Sequence, residues 1–136
     1  TLTAVQQMTL PTVVLWPGID AGTESTSKAI RLHQDHVHTV RSLPPRRFLR
    51  LMRQAAVLVG NSSAGIRESA FLGTPVVNVG DRQRGREHAA NVMTVPHDVK
   101  AIHEAIVSQR SRAHGRSDLY GDGHASARIA GTLVNL

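Results

Sequence analysis

The sequence predicts an α/β fold built on a doubly wound parallel sheet, and three observations lead there. Short continuous runs of β-branched and apolar residues alternate with longer amphipathic stretches, and several of those runs stop at Pro or Gly. At 136 residues the chain has room for one sheet and its helices. Strands that are apolar on both sides belong to parallel sheets covered by helices, joined by right-handed crossovers.

The elements follow in order. Residues 2–10 read as the tail of a helix, and 12–16 (TVVLW) as a strand stopped by Pro17 and Gly18. A helix over 25–32 precedes a strand over 37–41. Pro44 and Pro45 open the next helix, whose buried stripe is Phe48, Leu49, Met52, Ala55 and Ala56, with Arg46, Arg50 and Arg53 on the other side. Residues 57–59 form a strand ending at Gly60, 64–72 a helix closed by Gly73, and 75–79 (PVVNV) a further strand. A short last strand covers 92–95. Asp98 caps a helix to 107, a polar loop covers 108–118, and a final helix runs over 123–134.

Composition narrows the function. With no cysteine there is no disulfide framework, thiolate metal site or cysteine nucleophile. No apolar run approaches the roughly 20 residues of a membrane span, and the first ten residues do not read as a signal peptide. A cytoplasmic protein without membrane partners is expected. The net charge of +6 favours an anionic partner. The aromatic residues Trp16, Phe48, Phe71 and Tyr120 are scattered, against a stacking-type nucleic-acid binder. A phosphate-bearing small molecule accounts for the charge equally well. A polyanion-binding module around Arg46, Arg47, Arg50 and Arg53 is the distant alternative.

Three loops leave the C-terminal ends of the strands, at 17–22, 60–65 and 80–86, and in an open parallel sheet those ends form the ligand-binding edge. The 60–65 loop (GNSSAG) is the most informative. Its small residues let the backbone approach a ligand, while Ser62, Ser63 and the first helical N–H groups donate toward an anion. The other reading is plain helix capping by Ser62 or Ser63. Glu68 stands five residues beyond Ser63, about 7.5 Å along a regular helix, near the reach from a diphosphate to its ribose. It is either a ribose acceptor or a solvated residue paired with Arg67 or Arg82. Arg82, Arg84 and Arg86 fill the third loop and are either phosphate-neutralising or simply solvated.

Other chemistries find no complete pattern. His33, His36 and His38 cluster, and His36 and His38 would share one face of a strand, but no carboxylate completes a metal site. The serine loop has Ala64 where a hydrolase nucleophile elbow needs its second Gly, and there is no Walker A or G-x-G-x-x-G loop. No metal and no cofactor are expected.

The run VGNSSAGIRESAFLGTPVVNVGDRQRGREHAANVMTV (59–95) resembles the hydrolysing UDP-N-acetylglucosamine 2-epimerases. WPGIDAG (16–22), RRFLRLM (46–52) and YGDGHAS (120–126) fall in the same family order, with Gly18 where the family has Asn. The resemblance implies the C-terminal, Rossmann-like half of a glycosyltransferase-B type architecture. It also implies that UDP is held by Ser62, Ser63, Gly65, Glu68 and Arg82, with Asp20 on the sugar or phosphate side. The family reaction removes the C2 proton, eliminates UDP and hydrates the resulting 2-acetamidoglucal to N-acetylmannosamine. The expected partners are UDP and UDP-GlcNAc, and the full-length protein is expected to be a homo-oligomer.

The acid/base carboxylates of that reaction belong to the family's N-terminal domain, which residues 1–136 do not match. Residues 1–136 are therefore expected to be the UDP-binding domain alone, inactive by itself. Residues 2–10 match the helix after that domain's central first strand, so a gap is expected between the strand over 12–16 and the strand over 57–59. A non-hydrolysing 2-epimerase or another sugar-nucleotide enzyme of the same architecture is the nearer alternative.

Overall fold

A computed structural model describes residues 1–18 and 23–135. The order is α1 (Leu2–Gln6), β1 (Val13–Leu15), α2 (Thr23–Leu32), β2 (His38–Val40), α3 (Pro45–Gln54), β3 (Leu58–Gly60), α4 (Glu68–Leu72), β4 (Val76–Val79), β5 (Val92–Val95), α5 (Val99–Arg110) and α6 (Ala125–Val134). All strand pairing is parallel, as the continuous apolar runs predict.

Among the described residues the strands form two sheets. β1 pairs with β2 from Val13↔His38 to Leu15↔Val40. β4 is the middle of a three-stranded sheet, with Leu58↔Val76 on the β3 side and Val76↔Val92 on the β5 side. No ladder joins β1 to β3 among the described residues, so the strands do not form one continuous sheet.

The core lies on both faces of the three-stranded sheet. Val77 and Val79 point to one face, where they pack with Ala4 of α1 and with Ile102, Ala105 and Ile106 of α5. Val76 points to the other, where it meets Ile66, Val92 and Leu58. Every residue of β4 is buried, the continuous burial of a central strand covered on both faces. α6 buries no side chain and leaves Ile129, Leu133 and Val134 exposed.

Several elements differ from the sequence expectation. The helix predicted over 64–72 is two pieces, a 3-10 turn at Ser63–Gly65 and then α4. The Ser69 hydroxyl donates to the Gly65 carbonyl at 2.6 Å, a side-chain bond to the residue four back that bends helices. Gly65 itself lies so close to the sheet that an added Cβ would stand 3.3 Å from Val76 Cγ1. α5 runs three residues past the predicted end, because Gln109 is buried and bonded to the sheet. The stripe on α3 is narrower than predicted: Met52 is buried, but Leu49 and Ala56 are exposed, since α3 packs on the five-residue α4. His36 lies in a 3-10 turn at Gln34–His36 while His38 lies in β2, so the two do not share a strand face. Among the described residues no helix is long and apolar enough to cross a membrane.

Candidate functional site

β3 and β4 lie side by side, and the loops that follow them emerge at the same edge of the sheet. Gly60 opens the first loop opposite Asn78 of β4, with φ +150, and Gly80 opens the second with φ +80. Gly80 is fixed by its surroundings as well as by φ, because an added Cβ would meet the His97 ring.

The serine loop has a defined shape. Ser62 is extended and its hydroxyl oxygen accepts from the Ala64 amide at 3.3 Å, the capping role that the sequence left open. The amides of Gly65, Ile66 and Arg67 are taken by the Ser62 and Ser63 carbonyls. Both serine side chains are exposed at the edge, and the Ser62 hydroxyl hydrogen remains able to donate. Gly65 is buried, and its amide and carbonyl both bond within the chain. Its contribution is to let the turn approach the sheet.

Glu68 begins α4 and is exposed. Among the described residues it forms no ion pair, so the pairing with Arg67 or Arg82 considered from sequence is not the arrangement found. Because Ser63 opens a 3-10 turn and residues 66–67 form a further turn before α4, the uniform helical rise assumed from sequence does not describe the separation of Ser63 and Glu68. Arg67 lies over the Tyr120 ring at 5.8 Å, and the Tyr120 hydroxyl donates to the Glu87 carbonyl. Tyr120 thus links the start of α4 to the end of the arginine loop. Asp20 lies outside the described residues.

In the second loop Arg82, Arg84 and Arg86 are exposed, and Arg84 stands 3.9 Å from Asp81 in a solvent-exposed pair of little energetic weight. The buried residue between them is Gln83, 7% exposed, whose Nε2 donates to the Asn61 carbonyl at 2.7 Å. This bond ties the two loops together. Asn78 Nδ2 donates to Thr94 Oγ1 at 3.2 Å, and among the described residues Asn78 Oδ1 and Gln83 Oε1 are buried without a partner. Sequence reasoning missed both carboxamides. The available signal was a Gln placed among arginines and an Asn inside a valine strand.

The His33, His36 and His38 cluster does not assemble: among the described residues no three His, Asp or Glu side chains are grouped to hold a metal. Arg46, Arg47, Arg50 and Arg53 are exposed on α3.

The profile of the family described as UDP-N-acetylglucosamine 2-epimerase matches residues 1–134. The chain belongs to that family. It is 34% identical over 126 residues to a hydrolysing UDP-N,N'-diacetylbacillosamine 2-epimerase of Legionella pneumophila, covering 88% of this chain and 32% of the relative. It is 36% identical over 95 residues to a UDP-N-acetylglucosamine 2-epimerase of Neisseria meningitidis serogroup B, covering 69% and 25%. A shorter match, 46% identical over 52 residues, is to a hydrolysing GDP/UDP-N,N'-diacetylbacillosamine 2-epimerase of Campylobacter jejuni, covering 38% and 14%. The chain thus spans about a third or less of these epimerase relatives.

Proposed function

We propose that residues 1–136 are the UDP-binding portion of a hydrolysing UDP-N-acetylglucosamine 2-epimerase. The observation that carries this reading is the tie, at one sheet edge, between the loop that exposes Ser62 and Ser63 and the arginine loop, with the exposed Glu68, which forms no ion pair among the described residues, opening the helix after the serine loop, in a chain of the epimerase family. Two of the relatives are named as hydrolysing enzymes, which supports the hydrolysing branch.

In this reading Ser62 and Ser63 donate to the diphosphate, and Arg82 offsets its charge. Glu68 accepts from the ribose hydroxyls, a role that suits a carboxylate free of a cationic partner. Elimination breaks the C2–H and C1–O bonds of the sugar, forming 2-acetamidoglucal and UDP; water then adds across the new double bond. As UDP departs, negative charge grows on the diphosphate, so donors aimed there stabilise the transition state more than the ground state. The proton-moving carboxylates come from the N-terminal domain of the full enzyme, and residues 1–136 alone are inactive. The absence of a ladder between β1 and β3 among the described residues supports this assignment, in which a strand from outside these residues would lie between them.

The test is to incubate the full-length polypeptide with UDP-GlcNAc in D2O. Free N-acetylmannosamine carrying deuterium at C2, together with UDP, is the expected product. UDP-N-acetylmannosamine would instead establish the non-hydrolysing reaction, and transfer to a glycosyl acceptor would establish a transferase.

A further inference from the structure

Gln83 departs from its loop. The neighbouring Arg82 and Arg84 are exposed, whereas Gln83 is buried, and it reaches from the loop after β4 to the backbone of the loop after β3. A backbone carbonyl only accepts, so the bond to Asn61 O fixes which end of the carboxamide is the NH2. The oxygen on the same carbon is thereby oriented by the tether; among the described residues it is closed to solvent and has no partner, as is also true of Asn78 Oδ1 and Asn91 Oδ1. A buried acceptor without a donor is costly, and in native proteins such groups call for an explanation.

We propose that Gln83 is a specificity-determining residue whose Oε1 accepts a hydrogen bond from the non-phosphate part of the ligand, while Nε2 holds the serine loop in place. This rests on the reading of the site as a UDP-sugar site. The ionised diphosphate has only acceptor oxygens and cannot satisfy a carboxamide oxygen. The hydroxyl and N–H groups of the ribose, base or amino sugar can. Gln83 therefore separates a nucleotide sugar from a bare anion, a distinction that Ser62, Ser63 and the arginines do not make, since all of them donate. Asn78 Oδ1, buried without a partner opposite Gly60, is a second acceptor at the same edge.

The experiment measures binding of pyrophosphate, UDP and UDP-GlcNAc to the protein and to two variants. Gln83→Met keeps the length and removes both polar groups; Gln83→Glu keeps an acceptor and removes the donor. Gln83→Met should lower the preference for UDP or UDP-GlcNAc over pyrophosphate by about tenfold, the loss of one hydrogen bond to a buried group. Gln83→Glu should weaken all three anions while retaining the preference. In the unsubstituted protein, UDP or UDP-GlcNAc should shift the Gln83 side-chain carbonyl resonance where pyrophosphate does not, a readout that survives if a variant fails to fold. Equal losses for all three ligands in Gln83→Met, or an unmoved resonance, would leave Gln83 as a tether only and overturn the inference. An unsubstituted protein that binds none of the three would defeat the functional reading itself, and this inference with it.

Discussion

The Gln109 side-chain NH2 donates to the Val76 carbonyl at 2.9 Å and to the Asn91 carbonyl at 3.0 Å, joining the last turn of α5 to β4 and to the residue before β5. Its oxygen is matched with His114 Nε2 at 3.1 Å, so both ends of the carboxamide are used in a residue only 1% exposed. Asn91 continues the network, donating to Thr74 O at 2.7 Å and to Ser69 Oγ at 3.1 Å, and Ser69 reaches the Gly65 carbonyl. A chain of buried hydrogen bonds thus runs from α5 to the turn beneath the serine loop. Gln109→Leu should destabilise the fold by about 1–3 kcal/mol, since it strips partners from buried acceptors. Denaturant unfolding of the two proteins measures this, and equal midpoints would contradict it.

Gly73 ends α4 in the left-handed conformation, with φ +68, and a Cβ added there would stand 2.5 Å from the His114 carbonyl oxygen. Backbone strain and collision act in the same direction at this position. Gly73→Ala should therefore cost about 1–3 kcal/mol. Gly115→Ala, where a Cβ meets open space, should cost far less in the same thermal unfolding experiment.

Asp122 sits ahead of α6, bonded to the Arg128 guanidinium and accepting from the His124 amide at 3.0 Å. The Arg128 bond is the main cause that holds its carboxyl below the ordinary aspartate range, aided by the backbone bond and by Arg116. A lowered folded-state pKa means that the contact stabilises α6 above the ordinary value and is lost as pH falls through the lowered one. Because α6 buries no side chain, the effect is local. Amides at the start of α6 should exchange faster as pH drops below about 4, after correction for intrinsic rates. Asp122→Asn should show faster exchange at neutral pH and a flatter profile; an identical profile would contradict the account.

At the proposed site, Ser63→Ala should weaken UDP binding by about 1–3 kcal/mol through loss of a charge-assisted bond. Glu68→Gln should weaken UDP more than it weakens pyrophosphate, because the carboxylate is assigned to the ribose. Calorimetric titration of both variants checks the pair, and unchanged affinities would remove these residues from the site.

Much of this was legible in the sequence because the deciding signals are local. The valine run before Gly80 marks a strand buried on both faces and the run before Gly60 its half-buried neighbour, and Asp98 caps α5 as read, with its Oδ1 accepting from the Ala101 amide at 2.8 Å. The break between Ser63 and Glu68 was not legible. Residues 64–72 carry good helix formers, and what divides them is tertiary: Gly65 pressed against Val76 and Leu58, and the Ser69 hydroxyl turned back onto its carbonyl. Gln83 was hidden for a similar reason. A polar residue among arginines reads as solvated, and only the placement of β3 beside β4 brings Asn61 within its reach.

The central claim is that the edge shared by the loops after β3 and β4 binds UDP, and amide resonances followed during a UDP titration test it most directly. The account predicts saturable shifts confined to residues 60–68 and 80–86, with smaller changes in the segment around Tyr120, which is bonded to Glu87. Spectra unchanged at millimolar UDP, or shifts centred on the arginine face of α3, would contradict it.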